Sequence, residues 1–282
     1  MHAKICLVTG ATAGIGEVTA RVLAERGATV VGVGRNAEKC AERAARIAGA
    51  TGNPRVEFLV ADLSVQAQVR QLAETFKQRY ERLDVLVNNA GAFYLRRQES
   101  AEGIELTFAL NHLNYFLLTQ LLLDRLVAGA PARVVNVSSD AHRGARIRFE
   151  DVEFRRGYTG WTAYGQSKLA NVLFTYSLAR RLAGTGVTAN ALHPGFVASQ
   201  FGHNNGAFVG LALRVIHRLA AIPVEAGAQT SLYLATSPEV EGVTGRYFVK
   251  QGPVRSDPAS YDEAAAERLW ELSENMVRGT AA

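Results

Sequence analysis

Tyr164 and Lys168 stand four residues apart in a chain of 282 residues. The residues that follow, Leu169, Val172, Leu173, Tyr176 and Leu182, keep an apolar helical period, so the spacing predicts a helix over 161–183. Positions i and i+4 share a helical face, which sets the phenol beside the ammonium. A free tyrosine has a pKa of roughly 10 and is a weak acid at neutral pH. A fixed positive charge nearby favours the phenolate and lowers that value. The pair is therefore a candidate proton donor and acceptor. Its weight depends on what the rest of the chain brings to it, because Tyr and Lys at this spacing also occur on solvated helices.

Short β-branched runs alternate with longer amphipathic stretches along the whole sequence. The runs 4–9, 29–34, 55–61, 85–88, 133–137, 188–192 and 246–249 read as strands, and 15–26, 37–48, 65–80, 103–128, 161–183 and 224–236 read as helices. Continuously apolar strands separated by helices predict a parallel sheet covered on both faces. Right-handed crossovers make it a single doubly wound, Rossmann-type α/β domain of about seven strands filling residues 1–282. Two connections are longer than simple turns need, 139–160 and 194–223. Both leave the carboxyl edge of the sheet, where ligands bind in such folds, so both are expected to wall a substrate site.

The first strand runs into Thr9-Gly10-Ala11-Thr12-Ala13-Gly14-Ile15-Gly16 and then a helix. Residues without side-chain bulk let the backbone approach a pyrophosphate, and the helix start offers N–H groups and a positive dipole. Gly10, Thr12, Gly14, Ile15 and Gly16 are thus expected to hold a dinucleotide. The second strand ends in Val33-Gly34-Arg35-Asn36, with an arginine where an NAD site carries an acid. A carboxylate there would repel a 2′-phosphate, whereas Arg35 can bind one with charge-assisted hydrogen bonds. The cofactor expected is NADP.

With these glycines in order before Asn88-Asn89-Ala90-Gly91, Ser139 and Tyr164-x-x-x-Lys168, the chain resembles the short-chain dehydrogenase/reductase family over essentially its whole length. The stretches 111–119, 134–139, 167–171 and 269–273 look like the retinol dehydrogenase-like branch. The resemblance implies that Tyr164 is the proton donor in carbonyl reduction and that Lys168 holds the nicotinamide ribose and lowers the Tyr164 pKa. It implies that Ser139 binds the substrate oxygen and that Asn111 holds a water linking Lys168 to a proton relay. Ser138, by strand alternation, points elsewhere. It also implies Asp62 and Leu63 around the adenine, Asn88 and Ala90 along its ribose, and Pro194, Val197 and Ser199 closing on the nicotinamide. The bland readings are a helix cap at Asp62 and a structural turn at Asn88-Asn89. The family commonly pairs through the helices over 111–128 and 161–183, which carry more apolar surface than one sheet face needs, so a homodimer is expected.

The substrate is less determined. Phe208, Leu211, Ala212, Val215, Ile216, Leu219 and Ile222 form one helical face with Arg214, His217 and Arg218 off it. Such a helix covers an apolar pocket more often than it lies on a membrane. Either reading favours a bulky or apolar aldehyde, ketone or alcohol. His142, His193 and His203 could touch it, though single histidines are more often scaffold. A net charge of +5 without a basic stripe interleaved with aromatics gives no support to nucleic-acid binding. Two cysteines, Cys6 and Cys40, form neither a disulfide framework nor a metal site with histidine. The amino terminus has no charged leader and apolar core, and no apolar run is long enough to span a bilayer, so the protein is expected to be cytoplasmic. The competing reading is a non-catalytic NADP-binding regulator of the same fold, which the presence of both Tyr164 and Lys168 disfavours.

Overall fold

Seven parallel strands and one antiparallel edge strand form a single sheet in the computed structural model, which describes residues 1–195, 197 and 222–278. The strands are β1 (Ile5–Thr9), β2 (Thr29–Gly34), β3 (Val56–Val60), β4 (Val85–Asn88), β5 (Ala132–Val137), β6 (Val187–His193), β7 (Tyr247–Val249) and β8 (Gly252–Val254). Their order is 3-2-1-4-5-6-7-8. The helices are α1 (Gly14–Glu25), α2 (Ala37–Thr51), α3 (Gln66–Arg79), α4 (Leu106–Phe108), α5 (Asn114–Leu121), α6 (Leu123–Ala128), α7 (Gly160–Arg181), α8 (Val224–Thr236) and α9 (Glu263–Arg278).

The pleat sorts each strand between two cores. Leu7 joins one cluster with Val31, Leu86, Val134, Phe116 and Leu173, while its neighbours Cys6 and Val8 join another with Val30, Val85, Leu23 and Leu232. Both faces are covered, which is why the strands read as unbroken apolar runs. β1 pairs with β2 on one side and β4 on the other. The winding reverses there, and the crevice beyond those carboxyl ends is where such sheets take ligands.

Three elements differ from expectation. β8 is short, contains Pro253, and follows a turn with Lys250 and Gln251 at positive φ. A three-residue edge strand with proline leaves no periodic signal. The helix expected over 103–128 is broken into α4, a π-helical turn at Ala109–Leu113, α5 and α6. Within the wide turn the Asn114 side-chain amide donates to the Leu110 carbonyl, competing with the backbone ladder. The third is α9, whose apolar stripe Ala266, Leu269, Trp270 and Val277 packs on α7.

The Trp270 indole lies 5.0 Å from the Phe116 ring and 5.8 Å from the Phe174 ring, centroid to centroid. The surplus apolar surface of the helices over 111–128 and 161–183 is thus covered in part by the chain's own last helix. Truncating Trp270 to alanine would open a cavity between α7 and α9. The expected loss is about 3–5 kcal/mol, read as a lower urea midpoint; an unchanged midpoint would mean that α9 does not brace α7.

Candidate active site

β5 and α7 deliver the acid–base groups to one place. The Thr159 hydroxyl oxygen caps α7, accepting from the Thr162 N–H at 3.2 Å. One turn later Tyr164 and Lys168 lie on the buried face, 8% and 4% exposed. Ser139 follows β5 and caps the 3₁₀ turn Asp140–His142, its hydroxyl oxygen accepting from Ala141 N–H. The Ser139 hydroxyl adjoins Tyr164 and favours its phenolate. Ser138 points the other way, as alternation requires, and donates to the Lys168 carbonyl at 2.8 Å.

Lys168 reaches back toward the sheet. Its Nζ donates to the Val137 carbonyl at 3.1 Å and sits 5.5 Å from the centre of the Tyr164 ring. Burial lowers the Lys168 pKa to about 7 and raises that of Tyr164 above its usual range, the Ser139 hydrogen bond opposing the rise. Desolvation thus acts against the charge attraction expected of the pair.

Asn111 stands in the π-helical turn and acts on the loop after β4. Its Oδ1 accepts from Ala92 N–H at 2.8 Å, and its Nδ2 donates to the Ala92 carbonyl and to Ser167 Oγ, both at 3.0 Å. Both amide hydrogens are therefore engaged by protein, and the backbone carbonyl accepts from Asn171 Nδ2 at 2.9 Å. The clamp brings Gly91 against the lysine: a Cβ there would lie 3.5 Å from Lys168 Nζ and 3.1 Å from Asn111 Oδ1.

The residues expected to hold a dinucleotide gather at the β1–β4 crevice. Gly10 has φ +65°, and a Cβ on Gly16 would lie 2.4 Å from the Gly10 carbonyl oxygen, so the loop folds back on its own helix. Ala13 precedes α1 without a side-chain cap, so no side chain competes for the first N–H groups of the helix. A bare helix start over a loop too tight for side chains fits a pyrophosphate. Arg35 is exposed at the end of β2 and forms no ion pair among the described residues. Thr12, next to it, receives the Arg43 guanidinium on its carbonyl at 3.1 Å. Val197 packs on Gly227 of α8, which in turn faces Ile15, so the segment after β6 meets the phosphate loop. Pro194 leads into that segment; Ser199, His203 and the apolar face expected over 208–221 lie outside the described residues.

Two expectations change in detail. Asn88 is fully buried and its Nδ2 donates to Thr119 Oγ1 and Asn136 Oδ1, so its side chain binds strands together and cannot line a ribose. Ala90 lies just beyond, its N–H fixed by Thr9 Oγ1. Asp62 caps its own turn, accepting from the N–H and hydroxyl of Ser64, and buried Leu63 follows it.

Two histidines support the site: His142, expected either to touch substrate or to be scaffold, and His112, to which sequence reasoning assigned no role. His142 donates from Nδ1 to the Ser139 carbonyl at 2.7 Å and accepts the Asp257 N–H at Nε2, 3.0 Å away. It positions the serine from below and is scaffold. His112 bridges Asn171 Oδ1 at 3.2 Å and Ser273 Oγ at 3.0 Å, which ties the π-helical turn to α9; burial lowers its pKa to about 4. Their spacing from Ser139 and Asn111 was the available signal. His193 accepts from the Asp140 N–H at 3.2 Å. Cys6 and Cys40 are buried free thiols with raised pKa values.

Sheet order, phosphate loop and the Ser139–Tyr164–Lys168 cluster define a dinucleotide-linked oxidoreductase fold. The chain belongs to the short-chain dehydrogenase/reductase family, in its retinol dehydrogenase-like branch: residues 4–209 match the short chain dehydrogenase family model. It is 43% identical over 279 residues to mouse retinol dehydrogenase 13, covering 97% of this chain and 84% of that protein. An uncharacterised protein from Mycobacterium paratuberculosis superposes with a TM-score of 0.79 at 35% identity, over 98% of this chain and 94% of that one. The Pseudomonas aeruginosa RhlG/NADP active-site complex does so with a TM-score of 0.71 at 32% identity, over 88% and 94%. The family uses a nicotinamide cofactor. No helix among the described residues is long and apolar enough to cross a membrane.

The lowered Lys168 pKa sets a pH signature. Its folded value of about 7 lies below the ordinary 10.5, so the unfolded chain binds more protons between these values. Burial of the lysine is most destabilising below pH 7, and stability is regained as pH rises from there toward 10.5. The stability of Lys168→Met relative to wild type, read from urea unfolding, should therefore be greatest near pH 6 and decline by pH 9. A pH-independent difference would show that the amine keeps its usual affinity for protons.

Proposed function

We propose that the protein is an NADP(H)-dependent oxidoreductase that interconverts a carbonyl and an alcohol, with an apolar or bulky aldehyde, ketone or alcohol as substrate. The observation that carries the reading is the placement of Ser139, at the end of β5, beside Tyr164 and a buried lysine on α7. Two neighbouring hydroxyls can both turn toward a single substrate oxygen. A bound nicotinamide would supply or accept the hydride.

The chain's own part is to manage the oxygen. Ser139 orients it, and Tyr164 keeps its proton until that oxygen gains negative charge in carbonyl reduction, then delivers it. In alcohol oxidation the phenolate takes the proton back. Lys168 holds the floor of the site from the Val137 carbonyl, and Asn111 fixes the loop that passes over it. For the cofactor, Arg35 supports a 2′-phosphate, since its exposed guanidinium ends β2 beside the loop and no acid stands in its place.

Two measurements test this. Tyr164→Phe should still bind NADPH but lose about 10²–10⁴-fold in turnover across a panel of aldehydes and ketones; wild-type turnover in the variant would remove Tyr164 from the chemistry. Arg35→Ala should weaken NADPH about tenfold or more while leaving NADH nearly unaffected, judged by titration of both dinucleotides. Equal losses would defeat the assignment of NADP.

A further inference from the structure

The start of α7 approaches the chain after β4 more closely than any residue but glycine permits. A Cβ on Gly160 would lie 2.5 Å from the Tyr94 carbonyl oxygen, 3.0 Å from Phe93 Cζ and 3.2 Å from Leu95 Cα. This approach assembles three rings. Phe93 lies 5.1 Å from Trp161 and 5.9 Å from Tyr164, and Trp161 lies 6.4 Å from Tyr164, between ring centroids.

The three rings differ in exposure. Phe93 and Tyr164 are buried, whereas Trp161 is 66% exposed, the most exposed large hydrophobic side chain among the described residues. Leu95, on the other side of the Gly160 contact, is 44% exposed. An indole required only for packing would be covered. Here it is held at its edges by two buried aromatics, one turn before the proton donor, with most of its surface left to solvent. That arrangement is a rigid apolar plate at the rim of the site. It gives up little conformational freedom when another flat group is laid on it.

We propose that Trp161, backed by Phe93 and flanked by Leu95, determines specificity by stacking on the substrate, and that it selects planar unsaturated carbonyls over saturated ones of equal size. The inference rests on the reading of Tyr164 as the proton donor. A ring or conjugated chain attached to the carbonyl lies against the indole while its oxygen reaches the Tyr164–Ser139 hydroxyls. A puckered saturated body of the same volume meets the plate at a few points only.

The test separates binding from turnover. Calorimetric titration of Tyr164→Phe protein, saturated with NADPH, with 2-naphthaldehyde and with its decahydro counterpart should show the planar aldehyde bound more tightly. Adding Trp161→Ala should weaken the planar aldehyde about fivefold to tenfold and the saturated one far less, whereas Trp161→Phe should retain most of the preference. In the active protein the ratio of kcat/KM values for the two aldehydes should fall in step. Weakening of both aldehydes alike, or turnover with no planar preference in the unsubstituted protein, would overturn the inference. Calorimetric preference that depends on Trp161, with no turnover by the wild type, would uphold the plate and defeat the oxidoreductase reading.

Discussion

A lysine amine buried under the sheet edge organises this molecule. Water no longer solvates Lys168, so its Nζ depends on the Val137 carbonyl, and that dependence fixes the end of β5 relative to α7. Ser138 makes the reciprocal bond to the lysine's own carbonyl, so strand and helix are joined in both directions. With that joint made, Ser139 must emerge facing Tyr164. The Asn111 clamp then closes the β4 loop over the lysine. A polar group buried without partners would be expensive, and the surrounding contacts are arranged so that this one has them.

The acid–base character of the site follows from the same dryness. Sequence spacing places a phenol beside an ammonium and invites the conclusion that charge controls the pair. Burial works against proximity here: it weakens the lysine's hold on its proton and strengthens the tyrosine's.

Much of the fold was legible in the sequence because it rests on local periodicity. The seven parallel strands, α8 and the long helix bearing Tyr164 lie where apolar runs and helical spacing place them. The four proposed catalytic groups are brought together as well, since Ser139 follows the end of β5, Tyr164 and Lys168 lie in the first turns of α7, and Asn111 stands in the turn packed on α7. What was not legible depends on partners distant in the chain. The π-helical turn at Asn111 needs the particular Asn114 contact, and α9 becomes necessary only once Phe116 and Phe174 are seen to require a cover. Asn88 reads as a ribose contact until its amide is found between β4, β5 and α5. Trp161 shows no signal at all in one dimension, because its meaning comes from Gly160 and the residues it lets approach.

The imidazole of His142 has a direction. Donating to the Ser139 carbonyl and accepting from Asp257 N–H, it can carry only one proton and only on Nδ1. Burial lowers its pKa and keeps it in that state. A second proton on Nε2 would set two hydrogens against each other there. The serine at the heart of the site is thus held by a strut anchored more than a hundred residues downstream.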